Sequence, residues 1–179
     1  MALLVGRIND FTSRPGELRH ARWREFDLAE AVWRIPAETM KMDRPHRVPL
    51  ARQAIALLRE LRTVTGQGEF LFPAVNSVRR PMSENTMNAA LRRLGYTKEQ
   101  VSVHGFRTMA STLLNEMRRW SADAIERQLA HQEEDAVRRA YMHAAEFWGE
   151  RVEMMQAWAD YIEETRSAEM AVPIRSVSR

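Results

Sequence analysis

Residues 104–117 read HGFRTMASTLLNEM, a stretch whose apolar positions recur at the spacing of an α-helix. His104 and Arg107 are three positions apart and share a face that differs from the apolar one. A helix that begins near His104 would add its dipole and free amides to these two side chains, which predicts an oxyanion-binding site. A pair of this kind is also common as an exposed pair without function. The expected buried stripe consists of Phe106, Met109, Ala110, Leu113, Leu114 and Met117.

Periodic segments on both sides of this helix predict an α+β fold that is mainly α-helical, with a small antiparallel β-sheet. A helix is expected from Pro15 to about Trp23, because proline suits the first helical position. Two short strands, 33–35 and 47–50, flank a polar turn that carries Lys41. We expect residues 1–165 to form one domain and residues 166–179 to form a disordered tail. Further helices are expected around 54–61, 87–94, 125–129, 141 and 147–162, with Ser83 and Ser121 as N-caps.

The composition excludes several classes of protein. The chain of 179 residues has no cysteine, so disulfides, thiolate catalysis and cysteine-based zinc sites are excluded. No apolar run approaches the roughly 20 residues that a membrane-spanning helix needs. Residues 1–5 are apolar but too few for a signal peptide. We therefore expect a cytoplasmic protein with no membrane partner.

The basic residues are nearly all arginine, since only Lys41 and Lys98 are lysines among 27 Lys and Arg residues. The net charge is +3 and the pI is about 9.8. Arginine binds phosphate oxygens through paired N–H groups, which favours a nucleic-acid partner, although an arginine-rich genome explains the bias equally well. Lys41 is expected at the tip of the hairpin. There it could release a proton to a substrate, a role that the high pKa of arginine precludes.

Four further candidate residues lie outside these two segments. Arg14 precedes the first helix, and Glu17 is placed one turn later to hold its guanidinium, with an ordinary exposed ion pair as the alternative. His131 ends a helix, and Tyr141 follows ten residues later. A lone tyrosine on such a helix is usually half-buried, with its hydroxyl in water. Zinc binding by His104 and His131 is discounted, because their spacing fits no His-Glu-x-x-His pattern and no third ligand is evident. We expect no metal and no cofactor.

Taken together, these segments resemble the catalytic domain of the tyrosine recombinases of the phage-integrase type, over about residues 11–161. The resemblance is carried by six groups of residues in the family's order. They are SRPGELR at 13–19, WRIP at 33–36, MKM at 40–42 with HRVPL at 46–50, HGFR at 104–107, ERQLAH at 126–131 and AY at 140–141. The subgroup that the chain resembles is that of the satellite-phage and genomic-island integrases.

The resemblance implies an activity and a set of catalytic residues. The implied fold is the one that these enzymes share with type IB topoisomerases. The implied activity is site-specific DNA recombination, in prophage or genomic-island integration and excision, by metal-independent strand cleavage and rejoining through a 3′-phosphotyrosyl intermediate. The implied catalytic residues are Arg14, Lys41, His104, Arg107, His131 and the nucleophile Tyr141, with Glu17 in support.

The resemblance also implies partners. These are double-stranded DNA attachment sites, other subunits in a tetramer of the full-length protein, and accessory DNA-bending and excisionase proteins at the bacterial nucleoid. The resemblance implies core-binding and arm-binding domains before the first arginine, and we expect these domains to be absent from residues 1–179. We therefore expect weak, largely non-specific DNA binding. Two alternatives stay open: a non-catalytic DNA-binding remnant of an integrase, and a metal-free ribonuclease that uses two histidines and a lysine.

Overall fold

Six α-helices and two small antiparallel β-sheets make up the part of the chain that the computed structural model describes, residues 13–40, 44–130 and 146–171. The helices are α1 (Pro15–His20), α2 (Arg52–Thr65), α3 (Thr86–Arg93), α4 (Val103–Glu116), α5 (Ala122–Leu129) and α6 (Trp148–Ala171). The strands are β1 (Phe26–Asp27), β2 (Val32–Ile35), β3 (His46–Pro49), β4 (Pro73–Ala74) and β5 (Ser77–Pro81). Two 3₁₀ turns, Trp23–Glu25 and Ala37–Thr39, complete the described elements. The predicted α+β class, with helices predominant, is confirmed.

The three-stranded sheet has the order β1–β2–β3, and both of its strand pairs are antiparallel. In the central strand, Trp33 lies opposite Val48 and Arg34 lies opposite Arg47. Trp33 and Ile35 are buried whereas Arg34 is exposed, which is the alternation expected of a strand with one face on the core. Both predicted strands are therefore confirmed to within one residue. The β4–β5 hairpin was not predicted, because 73–81 begins and ends with proline and shows no alternation of apolar residues.

The first group of buried apolar side chains lies between the three-stranded sheet and helices α1, α2 and α3. Trp33, Leu58 and Leu71 are fully buried in it. Trp33 also donates its indole N–H to the carboxylate of Glu25 at 3.1 Å, which satisfies the polar edge of the ring. Burial of each large apolar side chain contributes about 1.5–3 kcal/mol, so this core holds the sheet against the helices.

The second group lies between helices α4, α5 and α6 and includes the fully buried Leu114, Leu129 and Trp158. Ala110 belongs to this core, whereas Phe106 packs against the first one. Helix α4 therefore contributes to both cores, and the turn of α4 between these two residues lies where the cores meet.

Several apolar side chains on the helices are more exposed than the sequence pattern predicted. Met109 and Met117 are 38% and 36% exposed, respectively, although their helical spacing predicted burial, and the apolar Val152 on α6 is 43% exposed. Periodicity identifies an apolar face but not how much of it a neighbouring helix covers. In α4 the covered strip is narrow and centres on Ala110 and Leu114.

Two predicted helix boundaries are also wrong. Helix α1 ends at His20 rather than near Trp23, because the carbonyl of Ala21 accepts the N–H of Leu71 and the chain leaves the helix there. Helix α6 continues to Ala171, so the prediction of disorder from residue 166 fails for 166–171. Residues 165–171 contain no helix breaker, and Pro173 comes only two positions later.

The start of α3 differs slightly from the predicted one. Asn85 is the N-cap, and the predicted cap Ser83 lies two residues earlier with its Oγ 2.8 Å from Oγ1 of Thr86. Ser121 caps α5 as predicted, since its Oγ accepts the N–H of Ala124. The predicted short helix around 141 and the tail beyond 171 lie outside the described residues. Among the described helices, none is both long and apolar enough to span a bilayer.

Candidate active site

Arg14 is held at the start of α1 by the carboxylate of Glu17. The backbone N–H of Arg14 donates to Oε2 at 2.9 Å, and its Nη1 donates to Oε1 at 3.1 Å. The first of these bonds satisfies the free amide that precedes a helix, as the acidic half of a capping box does. Glu17 is 6% exposed and Arg14 25%, so this pair is neither an exposed surface ion pair nor fully withdrawn from solvent. The predicted contact between Glu17 and the guanidinium of Arg14 is therefore present in the structure.

The other predicted arginine, Arg107, is buried on α4 at the meeting of the two cores, where it is 6% exposed. Its Nη2 donates to the carbonyl oxygen of Leu129. Burial, the largest cause, and the positive charge of Arg14 together lower the pKa of Arg107 to about 10, while Glu17 and Glu126 oppose the shift. The guanidinium remains protonated at neutral pH.

Three consecutive carbonyl groups at the end of α5 accept hydrogen bonds from side chains on three other parts of the chain. The Gln128 carbonyl lies 3.3 Å from Nε2 of His46, the Leu129 carbonyl accepts from Arg107, and the Ala130 carbonyl accepts from Nη2 of Arg14 at 2.7 Å. Such carbonyls have no partner within their own helix, and the negative end of the helix dipole favours cations there.

Ala130 ends α5 in a left-handed conformation, with φ at 48°. It packs against the first core, whereas Leu129 belongs to the second. The convergence of the two guanidinium groups is therefore fixed by the junction of both cores. His131 is the next residue in the chain, so the sequence continues from this cationic site directly into a predicted catalytic residue.

His104 is exposed on the first turn of α4, three residues before Arg107. The start of α4 is capped by other side chains, because Ser102 Oγ accepts the N–H of Gly105 at 3.1 Å and Asn88 Oδ1 accepts that of Val103 at 3.1 Å. Two of the free amides that we expected to add positive potential are thus already bonded within the protein. The observed positive charge comes instead from the two arginines.

Asn88 and Arg92 of α3 contact the loop that leads to His104, and neither residue was predicted to support the site. Nη1 of Arg92 donates to the carbonyl of Tyr96 at 2.7 Å, and Nη2 donates to the carbonyl of Val101. Their polar positions on α3 gave no signal, because the pattern of a helix does not show which loop packs beside it.

His46 is a further buried polar residue, and its sequence position did not predict a role in the site. It is 3% exposed at the start of β3. Burial, the largest cause, and the charges of Arg151, Arg127 and Arg107 together lower its pKa from 6.5 to about 3, while the contact with the Gln128 carbonyl opposes the shift. The imidazole is therefore neutral at physiological pH, so Nε2 can donate to that carbonyl in one tautomer.

Four of the predicted site residues fall within the described part of the chain, and the structure brings Arg14, Glu17 and Arg107 together. Lys41, His131 and Tyr141 lie outside the described residues, so their placement stays a prediction, as do the catalytic roles of all seven. Within 13–40, 44–130 and 146–171 there is no cluster of three or more His, Asp or Glu side chains that could hold a metal ion.

The chain belongs to the phage integrase family, because residues 10–146 match the model of that family. It is similar to the integrase of Enterobacteria phage P4, with 48% identity over 174 residues that cover 90% of this chain and 40% of the relative. Prophage integrase IntA of Escherichia coli (strain K12) is 42% identical over 160 residues, which cover 89% and 38% of the two chains. The predicted family is confirmed, and the chain spans less than half the length of these two relatives.

Solved recombinase structures share the fold at low identity. The integrase from mycobacterium phage Brujita matches 87% of this chain and 50% of its own, with a TM-score of 0.61 and 16% identity. XerA recombinase matches 94% and 56%, with a TM-score of 0.57 and 16% identity. A lambda integrase dimer bound to a COC′ core site matches 78% and 41%, with a TM-score of 0.53 and 18% identity. These likenesses confirm the predicted fold of a tyrosine recombinase catalytic domain.

Proposed function

We propose that residues 1–165 are the catalytic domain of a site-specific tyrosine recombinase, which cuts and rejoins double-stranded DNA through Tyr141. The observation that carries the proposal is the convergence of Arg14 and Arg107 on the carbonyls of Ala130 and Leu129. These arginines are 93 positions apart in sequence, yet they are held immediately before His131. Two fixed guanidinium groups at one place are suited to bind a phosphodiester.

The two arginines stabilise the charge that develops on the non-bridging oxygens of the phosphate. Arg14 uses Nη1 for Glu17 and Nη2 for Ala130, and a guanidinium has five N–H donors, so donors remain for a phosphate. Donors that are fixed before the reaction stabilise a transition state without reorganisation, and this is the main source of catalysis in phosphoryl transfer. The contacts with Glu17 and the α5 carbonyls supply that fixation.

The Tyr141 hydroxyl attacks the phosphorus, a bond forms between the phenolic oxygen and phosphorus, and the bond to the 5′ oxygen breaks. His104 accepts the phenolic proton, or donates to the phosphate, and His131 is a further donor. Lys41 protonates the leaving 5′ oxygen, a role that contributes about 10²–10⁴-fold in rate. The phosphotyrosyl bond retains the energy of the phosphodiester, so a 5′-hydroxyl from another strand can reverse the step without ATP.

The remaining parts of the function follow from the family. Since the relatives are more than twice as long, we place the core-binding and arm-binding domains in sequence that this chain does not contain. We propose attachment-site DNA as the substrate, supported by the lambda integrase solved on a core site, and a tetramer of the full-length protein as the active assembly. Accessory DNA-bending and excisionase proteins would act with it at the nucleoid, in the bacterial cytoplasm.

A suicide substrate tests the proposal, because a nicked duplex loses its short 5′-hydroxyl fragment after cleavage and traps the covalent adduct. Wild type should form the adduct and Tyr141→Phe should not. Tyr96→Phe and Tyr161→Phe are the matched controls, since these tyrosines are 51% and 39% exposed and should leave the adduct unchanged. DNA binding without any adduct in wild type would favour the non-catalytic remnant. An adduct that persists in Tyr141→Phe would contradict the assignment of the nucleophile.

A further inference from the structure

The guanidinium of Arg151 joins three separate parts of the chain. Arg151 lies on the first turn of α6 and is fully buried. Its Nε donates to Oε1 of Gln128 at 2.9 Å, its Nη1 donates to the carbonyl of Glu146 at 3.2 Å, and its Nη2 donates to the carbonyl of Arg47. Each of the three nitrogens therefore binds a different segment.

These partners flank the residues to which the proposed function assigns the chemistry. Gln128 comes three residues before His131, and Glu146 comes five residues after Tyr141. Arg47 is in β3, the strand that follows the turn with Lys41. One side chain thus holds the chain on both sides of 131–145, and it also holds the strand that leads out of the lysine hairpin.

The surroundings of Arg151 add further links between the same segments. Arg47 pairs with the carboxylate of Glu146 at 3.1 Å, and the guanidinium carbon of Arg47 lies 4.1 Å from the centre of the Trp148 ring. The guanidinium carbon of Arg151 lies 5.7 Å from the centre of the same ring. The start of α6 is therefore fixed against β3 and α5 by several polar contacts.

A buried arginine is a costly way to fill this space if packing is the only requirement. The three hydrogen-bond acceptors given above are neutral oxygens, while the Glu146 carboxylate pairs with Arg47. Burial, the largest cause, and the charges of Arg127 and Arg47 together lower the pKa of Arg151 to about 9, while Glu146 opposes the shift, so the charge is retained at neutral pH. Apolar side chains of similar volume often serve equally well or better for stability at such positions. What they cannot supply is a three-way hydrogen-bonded link.

We propose that Arg151 is a positioning residue that aligns the residues on either side of 131–145, and strand β3, with the site of Arg14 and Arg107. The inference rests on the proposed function, because it concerns the placement of Tyr141, His131 and Lys41. The alignment is transmitted through the end of α5 and its C-cap, where residues 128, 129 and 130 bind Arg151, Arg107 and Arg14 in turn. Arg151 acts through these contacts and does not touch the DNA.

The experiment compares Arg151→Met with Gln156→Met, a control on the same helix. Gln156 also makes polar contacts, since its Nε2 donates to Oε1 of Gln53 at 3.0 Å and its Oε1 accepts the backbone N–H of Arg52 at 3.0 Å, but these link α6 to α2 and not to the flanks of 131–145. The readouts are the dissociation constant for DNA, the rate of adduct formation at saturating DNA, and amide hydrogen exchange measured across the chain.

For Arg151→Met we expect adduct formation to slow by about 100-fold, which is the cost of misplacing reacting groups by about 1 Å. The dissociation constant should change little, since Arg14 and Arg107 remain in place. The amides of 131–145 should exchange faster than in wild type, whereas those of α2 and α3 should not. Arg151→Lys, which keeps the charge but not the planar set of donors, should recover only part of the rate.

Equal losses in Arg151→Met and Gln156→Met, or a parallel loss of DNA affinity and rate, would overturn the proposal, because a general loosening of α6 would then suffice. If Arg151→Met does not fold, Gln128→Leu removes only one of the three contacts, and it must still slow adduct formation without weakening DNA binding. If wild type forms no adduct, the proposed function fails separately. The hydrogen-exchange difference between Arg151→Met and Gln156→Met then decides the positioning role by itself.

Discussion

Replacing Glu17 by Gln should separate the orientation of Arg14 from its charge. The carboxylate of Glu17 accepts two hydrogen bonds from Arg14, one from the backbone at 2.9 Å and one from Nη1 at 3.1 Å. A glutamine has only one acceptor oxygen, and its amide N–H₂ group would face another donor. The substitution therefore leaves Arg14 present but less firmly held.

The size of the effect follows from the exposure of the pair. A hydrogen bond to a charged group contributes about 1.5–3 kcal/mol. Arg14 is 25% exposed, so solvent screens its interaction with Glu17, and we take the lower end of this range. About 1.5 kcal/mol of lost transition-state stabilisation corresponds to about a tenfold decrease in rate. DNA affinity should change less, because it is spread over many phosphate contacts.

The assay is single-turnover adduct formation on the nicked duplex at saturating DNA, with thermal unfolding measured in parallel. Glu69→Gln is the control, because Glu69 forms an ion pair with Arg22 in which the two side chains are 48% and 32% exposed, and such pairs contribute little. We expect the adduct rate of Glu69→Gln to equal that of wild type. A rate for the folded Glu17→Gln protein that also equals wild type would refute the idea that Glu17 positions Arg14.

His46, Lys41 and the metal requirement provide three further predictions. The pKa of His46 is about 3 in the folded protein against 6.5 in the unfolded chain, so below pH 6.5 only the unfolded state takes up the proton. Stability should therefore fall by about 2 kcal/mol between pH 6.5 and 5, and this slope should flatten in His46→Gln when urea unfolding is measured at several pH values. Lys41→Ala should cleave ordinary DNA about 10²–10⁴-fold more slowly, whereas a substrate with sulfur in place of the bridging 5′ oxygen should restore the rate; equal defects on both substrates would exclude an acid role. Adduct formation should survive EDTA at moderate salt, and a strict requirement for magnesium would contradict the mechanism.

Local patterns were enough to predict the class of fold. Helical spacing around Ala110 and Leu114, and the alternation in Trp33 to Ile35, depend on neighbours within one element, so the sequence shows them directly. Ser121 was recognised as an N-cap for the same reason, since the amide that it bonds is only three residues away. The order of the motifs predicted the family, and the match over residues 10–146 confirms that prediction.

The proximity of Arg14 and Glu17 was likewise visible in the sequence, because one turn of helix brings such residues together. The proximity of Arg14 to Arg107 was not visible in the sequence, except through the resemblance. Nothing in the spacing of 93 residues indicates that both guanidinium groups reach the end of α5. That convergence exists because α4 contributes to both cores and α5 ends where they meet.

Long-range packing also decided what periodicity predicted wrongly or left out. Met109 and Val152 occupy apolar positions but remain exposed, because no neighbouring element in the described part of the chain covers them. Arg151 differs from its prediction in the opposite direction, because a charged residue predicts a solvated position. It is fully buried, and its hydrogen-bond partners lie in β3, in α5 and at Glu146, two residues before α6. The sequence by itself determined the elements, the family and the candidate residues. Only the tertiary structure decided which of those residues meet, because hydrogen-bond partners more than 20 positions apart are chosen by the packing of whole helices against one another.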